Sequence, residues 1–500
     1  MDKRTILAIV LSMLVMLTWS YVARQNASHL QPIENKTVTS MNPSLPVALQ
    51  DPLGNLATEE VLLDGKRIFF LPQRAGIKQI KFSQYANHIL EVNGLYLDGL
   101  SADFAQTTSP ISFVLRDAEK TITQKYTYSK SNNCIELSIT VQNNQNADLN
   151  LSLPLVLTRI GRPTGQEARF QSQEIIIKTK DKFWRAAPWK EYFSREPVEY
   201  IAYRDRYFCL VLQPQDHLRA AFNKKINSNA SLAGLVLDIQ VPANKQFTAN
   251  FLLFAGAQEE SVLGRINPEW RAIVNYGFFD AISKFLLKIL RFLFKIVQNW
   301  GLAIILLSLL IYFVLFPLSL KQIHAMKEMQ AIQPKVEELR KIYKDNPQKM
   351  NKEIMELYRE HKVNPFGGCL PLLFQIPVFF SLYQALMRSW EIKGARFLWI
   401  KDLSQPDQLF TLPTQLPVIG NSLNILPLLM CLIMFLQQKM TAKSAVSSEQ
   451  QKMMLVLFPI LFGVIFYHMP AGLVLYWLVN SLLMFVYQLK LSKTDGQKQK

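Results

Sequence analysis

Asn364–Leu386 reads NPFGGCLPLLFQIPVFFSLYQAL, and its reading decides the fold. A charged region ends at Lys362. The chain then turns through Asn364-Pro365-Phe366-Gly367-Gly368 into a run with no charge from Cys369 to Met387. Nineteen helical residues span roughly 28 Å, close to the hydrocarbon thickness of a bilayer. A soluble core helix of that length needs a polar face, and this run offers only Gln375, Ser381, Tyr383 and Gln384. Pro371 and Pro377 are tolerable in a span, where neighbouring helices re-satisfy the freed backbone groups. The stretch is therefore predicted to be a spanning helix packed among others. The Gln375 amide is expected to face protein or water rather than lipid.

Composition agrees. The 500 residues carry 55 Lys+Arg against 38 Asp+Glu, a formal net charge of +17, yet 49% are hydrophobic. The first half is mixed and the second very apolar. A basic membrane protein places its positive charge in cytosolic loops or against anionic lipid. No basic module interleaved with aromatics appears, so direct sequence-specific nucleic-acid binding is not expected. Cys134, Cys209, Cys369 and Cys431 form no CxxC and no Cys/His cluster, so no metal site is expected. Pairing of Cys134 with Cys209 stays open.

Asp2-Lys3-Arg4 precede the apolar run Ile6–Val22 with no good cleavage pattern after it. Residues 1–23 are therefore read as an uncleaved signal anchor with a cytoplasmic N-terminus, and the Asn-, Ser- and Pro-rich residues 24–50 as a linker. Residues 51–270 alternate with period two. Ile135, Leu137, Ile139 and Val141 share one face; so do Leu149 to Leu157, Leu235 to Val241, and Phe247 to Leu253 at every second position. This pattern predicts an antiparallel β-sandwich outside the cytoplasm. His88 and His217 are too isolated for catalysis. The aromatics Phe183, Trp184, Trp189, Tyr192 and Phe193 are read as packing or as a binding surface.

Residues 276–298 change character. Asp280, Lys284, Lys288, Arg291, Lys295 and Gln298 recur at steps of three or four, leaving a wide apolar face. That describes a helix lying in the membrane interface. Gly301–Leu320 is the next span, with Ser308 and Tyr312 on one face. Residues 321–366 are expected to form a cytosolic helical hairpin. Its first arm starts at Pro334 with the stripe Val336, Leu339 and Tyr343, and its second returns with Ile354 and Leu357. It serves as a connector, or as a platform for a partner or lipid. After a loop at 391–422, three short spans follow at Leu423–Leu436, Met453–Tyr467 and Leu473–Leu489. Residues 491–500 are a basic cytosolic tail, as the positive-inside trend requires. Spans this short favour local bilayer thinning.

The predicted fold is thus a six-span α-helical membrane protein with both termini in the cytoplasm and a large β-sandwich domain. No Asp, Glu or Lys lies mid-span, so no proton relay, ion ring or voltage sensor is evident. No nucleophile–base pair lies at membrane depth, so an enzyme is not expected. Scattered neutral polar groups remain: Ser308, Tyr312, Gln375, Asn480 and Ser481. They are compatible with easing a polar segment across the bilayer. A membrane-anchored periplasmic binding protein and a small-solute transporter are alternatives from the residues alone.

Several motifs narrow the choice: Asn299-Trp300-Gly301, Pro317-Leu318, Gln333-Pro334-Lys335, Lys362-Val363-Asn364-Pro365 with Gly367-Gly368-Cys369 and Pro371, Gln375 with Pro377, and Pro470 followed by Gly472-Leu473-Val474-Leu475-Tyr476. The pattern resembles the YidC family of membrane protein insertases in its Gram-negative form with a large periplasmic domain, most closely over 299–490. The resemblance implies a five-helix insertase core at 301–490 that inserts and helps fold nascent membrane proteins, alone or with the Sec translocon, without nucleotide or cofactor. It implies a hydrophilic groove holding Ser308, Gln375, Tyr476 and Trp477, and a hairpin and tail that meet the ribosome or targeting factors. The family carries an arginine on the second span; here Tyr312 stands at that place. A neutral, hydrated groove working by polarity and thinning is the expectation that follows.

Overall fold

The computed structural model describes residues 57–498 apart from 86–87, 101–103, 107–110, 164–171, 195, 217–219, 364–369, 417–419 and 443–448. The signal anchor, the linker, His217 and the Asn364–Cys369 turn lie outside the described residues. The chain divides into two compact units, Met1–Phe278 and Phe279–Lys500.

The first unit is β-rich. Among the described residues it holds antiparallel sheets of nine, five and four strands. The alternating segments are its centre. Cys134–Asn143 pairs with Gln246–Ala257, setting Leu137 opposite Phe251 and Ile139 opposite Ala249, all four buried. Leu149–Gly161 pairs with Ala230–Val241, setting Leu153 opposite Leu237 and Leu155 opposite Leu235. Two large sheets with apolar inner faces bear out the expected sandwich. The third sheet, a meander from Glu59 to Gly94, packs Phe70 against Phe113 and Tyr126 of the nine-stranded sheet. Alternation alone did not separate this sheet from the other two. Cys134 and Cys209 are buried free thiols, and burial pushes the Cys134 thiol up to about 11. Trp184 and Tyr192 stack 4.5 Å apart, and Arg162 lies 5.0 Å over Trp189, so these aromatics are packed and half-buried.

Lys66 is the unusual side chain of this unit. It begins the second strand after the Asp64-Gly65 turn and is 9% exposed. Its Nζ donates to Asn133 Oδ1 at 2.7 Å and lies 5.9 Å from the Tyr128 and Phe254 rings. It lines a cavity of about 70 Å³ together with Asp64, Gln84, Asn133 and Glu259. Burial pulls its pKa down from 10.5 to about 8, against the pull of Cys134 and Asp64.

The second unit is helical. Its helices, counted on from the short α1 (Glu260–Ile266) of the first unit, are α2 (Asp280–Val297), α3 (Trp300–Ile342), α4 (Pro347–Glu360), α5 (Leu370–Arg388), α6 (Ile425–Ala442), α7 (Glu449–Tyr467) and α8 (Ala471–Lys498). Asn299 caps α3 by accepting from the Leu302 amide at 3.0 Å, and Asn346 caps α4 through the Lys349 amide at 3.1 Å. α2 packs on α5 and α3; α8 packs on α6 and α3. The face of α2 carrying Ser283, Leu286, Leu287 and Leu290 is buried, while Phe285, Phe292 and Ile296 are exposed. Its apolar surface therefore serves two directions, the bundle and the surroundings.

Two expectations need correction. Pro334 does not start a helix: α3 runs unbroken through both Pro317 and Pro334 for 43 residues, about 64 Å. An internal proline removes one backbone hydrogen bond, and flanking turns hold the helix where the chain on both sides is helix-favouring. Span and first hairpin arm are therefore one rod. Val336 and Ile354 are buried, whereas Leu339, Tyr343 and Leu357 are half-buried. The last three helices also outrun their apolar stretches, because Gln437-Gln438-Lys439, Glu449-Gln450-Gln451 and Gln488-Leu489-Lys490 are good helix formers. Trp300–Met329 and Ala471–Leu491 are long and apolar enough to cross a membrane; Ile425–Met440 and Leu457–Tyr467 are shorter apolar stretches. Phe313, Val314, Leu432, Ile460 and Val486 point outward from these helices, an apolar surface that suits lipid.

The lowered Lys66 pKa predicts a pH signature. Between about pH 8 and 10 the unfolded chain holds a proton at Lys66 that the folded chain has lost, so stability rises with pH there. In denaturant unfolding of the full chain in detergent, followed by tryptophan fluorescence, Lys66 should contribute a gain of about 1 kcal/mol between pH 8 and 9, set against an opposing loss from the buried Cys134 and Cys209 thiols. Lys66→Met should remove that gain.

Candidate functional site

The polar residues singled out on the spans are not joined by one hydrogen-bond network among the described residues. Gln375 on α5 and Tyr476 on α8 are brought together: Gln375 Nε2 donates to the Tyr476 hydroxyl. Tyr476 is fully buried and Gln375 half-buried. In an apolar surrounding, an amide and a phenol that satisfy each other avoid the cost each would carry alone. The pair ties α5 to α8 at the depth of their apolar runs.

Trp477, the next residue of α8, sits in an aromatic cluster. Its ring lies 5.4 Å from Phe379 of α5, and 5.6 and 5.3 Å from Phe462 and Phe466 of α7. Phe379 also meets Phe466 at 5.6 Å. Consecutive residues of α8 thus carry a polar and an apolar link between the same helices. Asn480, one turn on, donates its amide to the Tyr476 carbonyl at 2.8 Å.

Ser308 and Tyr312 make no hydrogen bond to this pair. Ser308 is fully buried, and its hydroxyl donates to the Ile304 carbonyl of its own helix at 2.7 Å. Tyr312 is half-buried beside Phe316 at 5.6 Å, and Phe316 in turn meets Tyr487 of α8 at 5.1 Å. The α3–α8 contact here is thus aromatic, through Phe316 and Tyr487. Among the described residues no group of three His, Cys, Asp or Glu is placed to hold a metal ion.

The loop expected at 391–422 holds, with the residues flanking it, a polar knot that the sequence pattern does not convey. Asp407 is 3% exposed; its Oδ2 accepts from the Leu426 amide at 2.6 Å and the Trp399 indole at 3.4 Å. Asn424, fully buried, accepts from the Gln408 amide at 3.0 Å and donates to the Tyr467 carbonyl at 2.7 Å. The Tyr467 hydroxyl donates to the Ser422 carbonyl at 2.9 Å. Glu391 pairs with Arg291 of α2 at 2.8 Å. The one local signal was Asn424 directly before an apolar helix, a capping pattern; the cap itself comes from Asp407.

An outward-facing apolar surface, buried polar pairs between helices and a separate β-rich unit define a helical membrane protein with a large extramembrane domain. Residues 292–498 match the family model described as 60Kd inner membrane protein, and residues 98–289 match that of the YidC periplasmic domain. A membrane protein insertase YidC of Geotalea daltonii is 30% identical over 99% of both chains. One of Pelobacter propionicus is 37% identical over 75% of this chain and 69% of its own. A solved structure of an active YidC insertase aligns over 86% of this chain and 92% of its own, at 18% identity and a TM-score of 0.40. The chain belongs to the YidC family of membrane protein insertases.

The buried pair predicts asymmetric mutant behaviour. Tyr476→Phe strands the Gln375 amide and should lower stability by about 1–3 kcal/mol. The double variant Gln375→Leu/Tyr476→Phe should recover most of that loss, since neither partner is left unpaired. Thermal unfolding of the purified full chain in detergent reads both.

Proposed function

We propose that this chain inserts nascent membrane proteins into the bacterial inner membrane and helps them fold, without bond-making chemistry of its own. Its membership of the insertase family along essentially its whole length carries the reading. In this arrangement α3, α5, α6, α7 and α8 span the bilayer, preceded by the Ile6–Val22 anchor. The β-rich unit stands on the periplasmic side, and the α3–α4 hairpin and C-terminal tail stand in the cytosol. The basic balance of that hairpin, ten Lys/Arg against seven Asp/Glu in 321–365, supports the placement.

Ser308, Tyr312, Gln375, Tyr476 and Trp477 are the residues assigned to the client path. None is charged. A polar segment entering here meets hydroxyl, amide and aromatic groups, which lower its transfer cost by hydrogen bonding and stacking rather than by ion pairing. The short apolar stretches of α6 and α7 add local thinning, which shortens the distance to cross. The hairpin is the contact for the ribosome or a targeting factor, and the Sec translocon is the neighbour for clients with large translocated regions.

Photocrosslinkers placed at Tyr312 and Trp477 test the path. Ribosome-stalled chains carrying one membrane span should crosslink only once the span has left the ribosome. Tyr312→Leu should lower insertion at least fivefold, while Tyr312→Arg retains it. Full activity of Tyr312→Leu would sink the polar-groove reading; absence of crosslinks from both positions would sink the client path.

A further inference from the structure

The 389–424 segment reaches the starts of three helices within a few residues of each other. Phe397 covers Gly301 in the first turn of α3 so closely that a Cβ there would lie 2.1 Å from its ring. The Leu403 and Gln405 carbonyls accept from the Gly472 and Ala471 amides, at 2.9 and 2.7 Å, in the first turn of α8. Asp407 then accepts from the Leu426 amide in the first turn of α6 at 2.6 Å. A helix start leaves its first amides without intrahelical partners, and apolar surroundings supply none. Leu403, Gln405 and Asp407 answer that need for two helices at once, two residues apart in each step.

The consequence lies one turn down α8. Ala471 and Gly472 are five and four residues ahead of Tyr476, so the loop that holds them also sets the height and rotation at which Tyr476 meets Gln375. Gly472 permits the approach: a Cβ there would stand 3.2 Å from the Leu403 carbonyl and 3.1 Å from Ile304 of α3. Asp407 fixes the far end of the same loop to α6, which packs along α8.

We propose that Asp407 is a positioning residue for insertion: through the 403–407 bracket it locks the start of α8 to that of α6 and so places Tyr476 and Trp477 for the client. The proposal rests on the client path described above. Asp407 touches no client; it acts by accepting the Leu426 backbone amide at the start of α6. Its Oδ1 makes no hydrogen bond. Asparagine can therefore keep the Oδ2 role, with its amide at the Oδ1 position, without breaking a hydrogen bond.

Two readouts on the full chain in native membranes test this. The first needs no client: a short bis-maleimide joins Gln375→Cys to Tyr476→Cys in a chain whose native cysteines are serine. The second is nascent-chain photocrosslinking from Trp477. Asp407→Ala should lower both at least fivefold, and Asp407→Asn should restore both to within twofold. One glycine inserted between Gln405 and Pro406 removes no side chain but uncouples the two anchors. It should match Asp407→Ala, and it decides the matter if Asp407→Ala fails to accumulate. Unchanged bis-maleimide joining in Asp407→Ala or in the glycine insertion would overturn the proposal, as would an Asp407→Asn chain as impaired as Asp407→Ala. If the parent chain shows no nascent-chain crosslink, the client path falls, while the bis-maleimide arm still decides the role of Asp407.

Discussion

A helix that begins in apolar surroundings must have its first amides satisfied, and the helical unit depends on how that is done at its polar loop. α3 uses its own Asn299. α6 and α8 do not supply their own partners; they borrow Asp407, Leu403 and Gln405 from a single loop. Borrowing links helices that self-capping would leave independent. Asn424 extends the link to the end of α7 through Tyr467, and Glu391 extends it to α2 through Arg291. The order of the bundle at this end is thus a hydrogen-bond problem with one shared solution.

Further down, the forces change. The bundle has no water to drive apolar surfaces together, so close packing and buried polar pairs must hold it. Gln375 and Tyr476 provide one such pair, and Trp477 with Phe379, Phe462 and Phe466 provides the packing beside it. A polar pair shared between two helices is also a place where another polar group can substitute for one partner at small cost. On the function proposed above, this is how the bundle receives a foreign segment and releases it.

The β-rich unit follows the opposite logic. Its sheets are driven together by water, and the alternation of Ile135 to Val141 and of Leu235 to Val241 was enough to place their inner faces. What alternation could not convey was a charged group held inside. Lys66 reads as an ordinary strand lysine between Gly65 and Arg67, yet the Asp64-Gly65 turn folds it beneath Tyr128 and Phe254. Its burial is a property of two hairpins meeting, and neither hairpin announces it.

Local pattern determined much: the apolar runs, the period-two strands, the amphipathic α2 and the resemblance to an insertase all follow from residues close together in the chain. Each depends on side-chain type at fixed spacing, which the sequence states directly. Only the tertiary structure decided that α3 passes unbroken through Pro334, that Ser308 bonds back to its own helix, and that Gln375 meets Tyr476 across 101 positions. It alone showed that Asp407 caps a helix nineteen residues away. The reason is common to the Gln375–Tyr476 and Asp407–Leu426 bonds. A hydrogen bond between distant segments has no period and no composition, so it becomes visible only when packing has brought its two ends together.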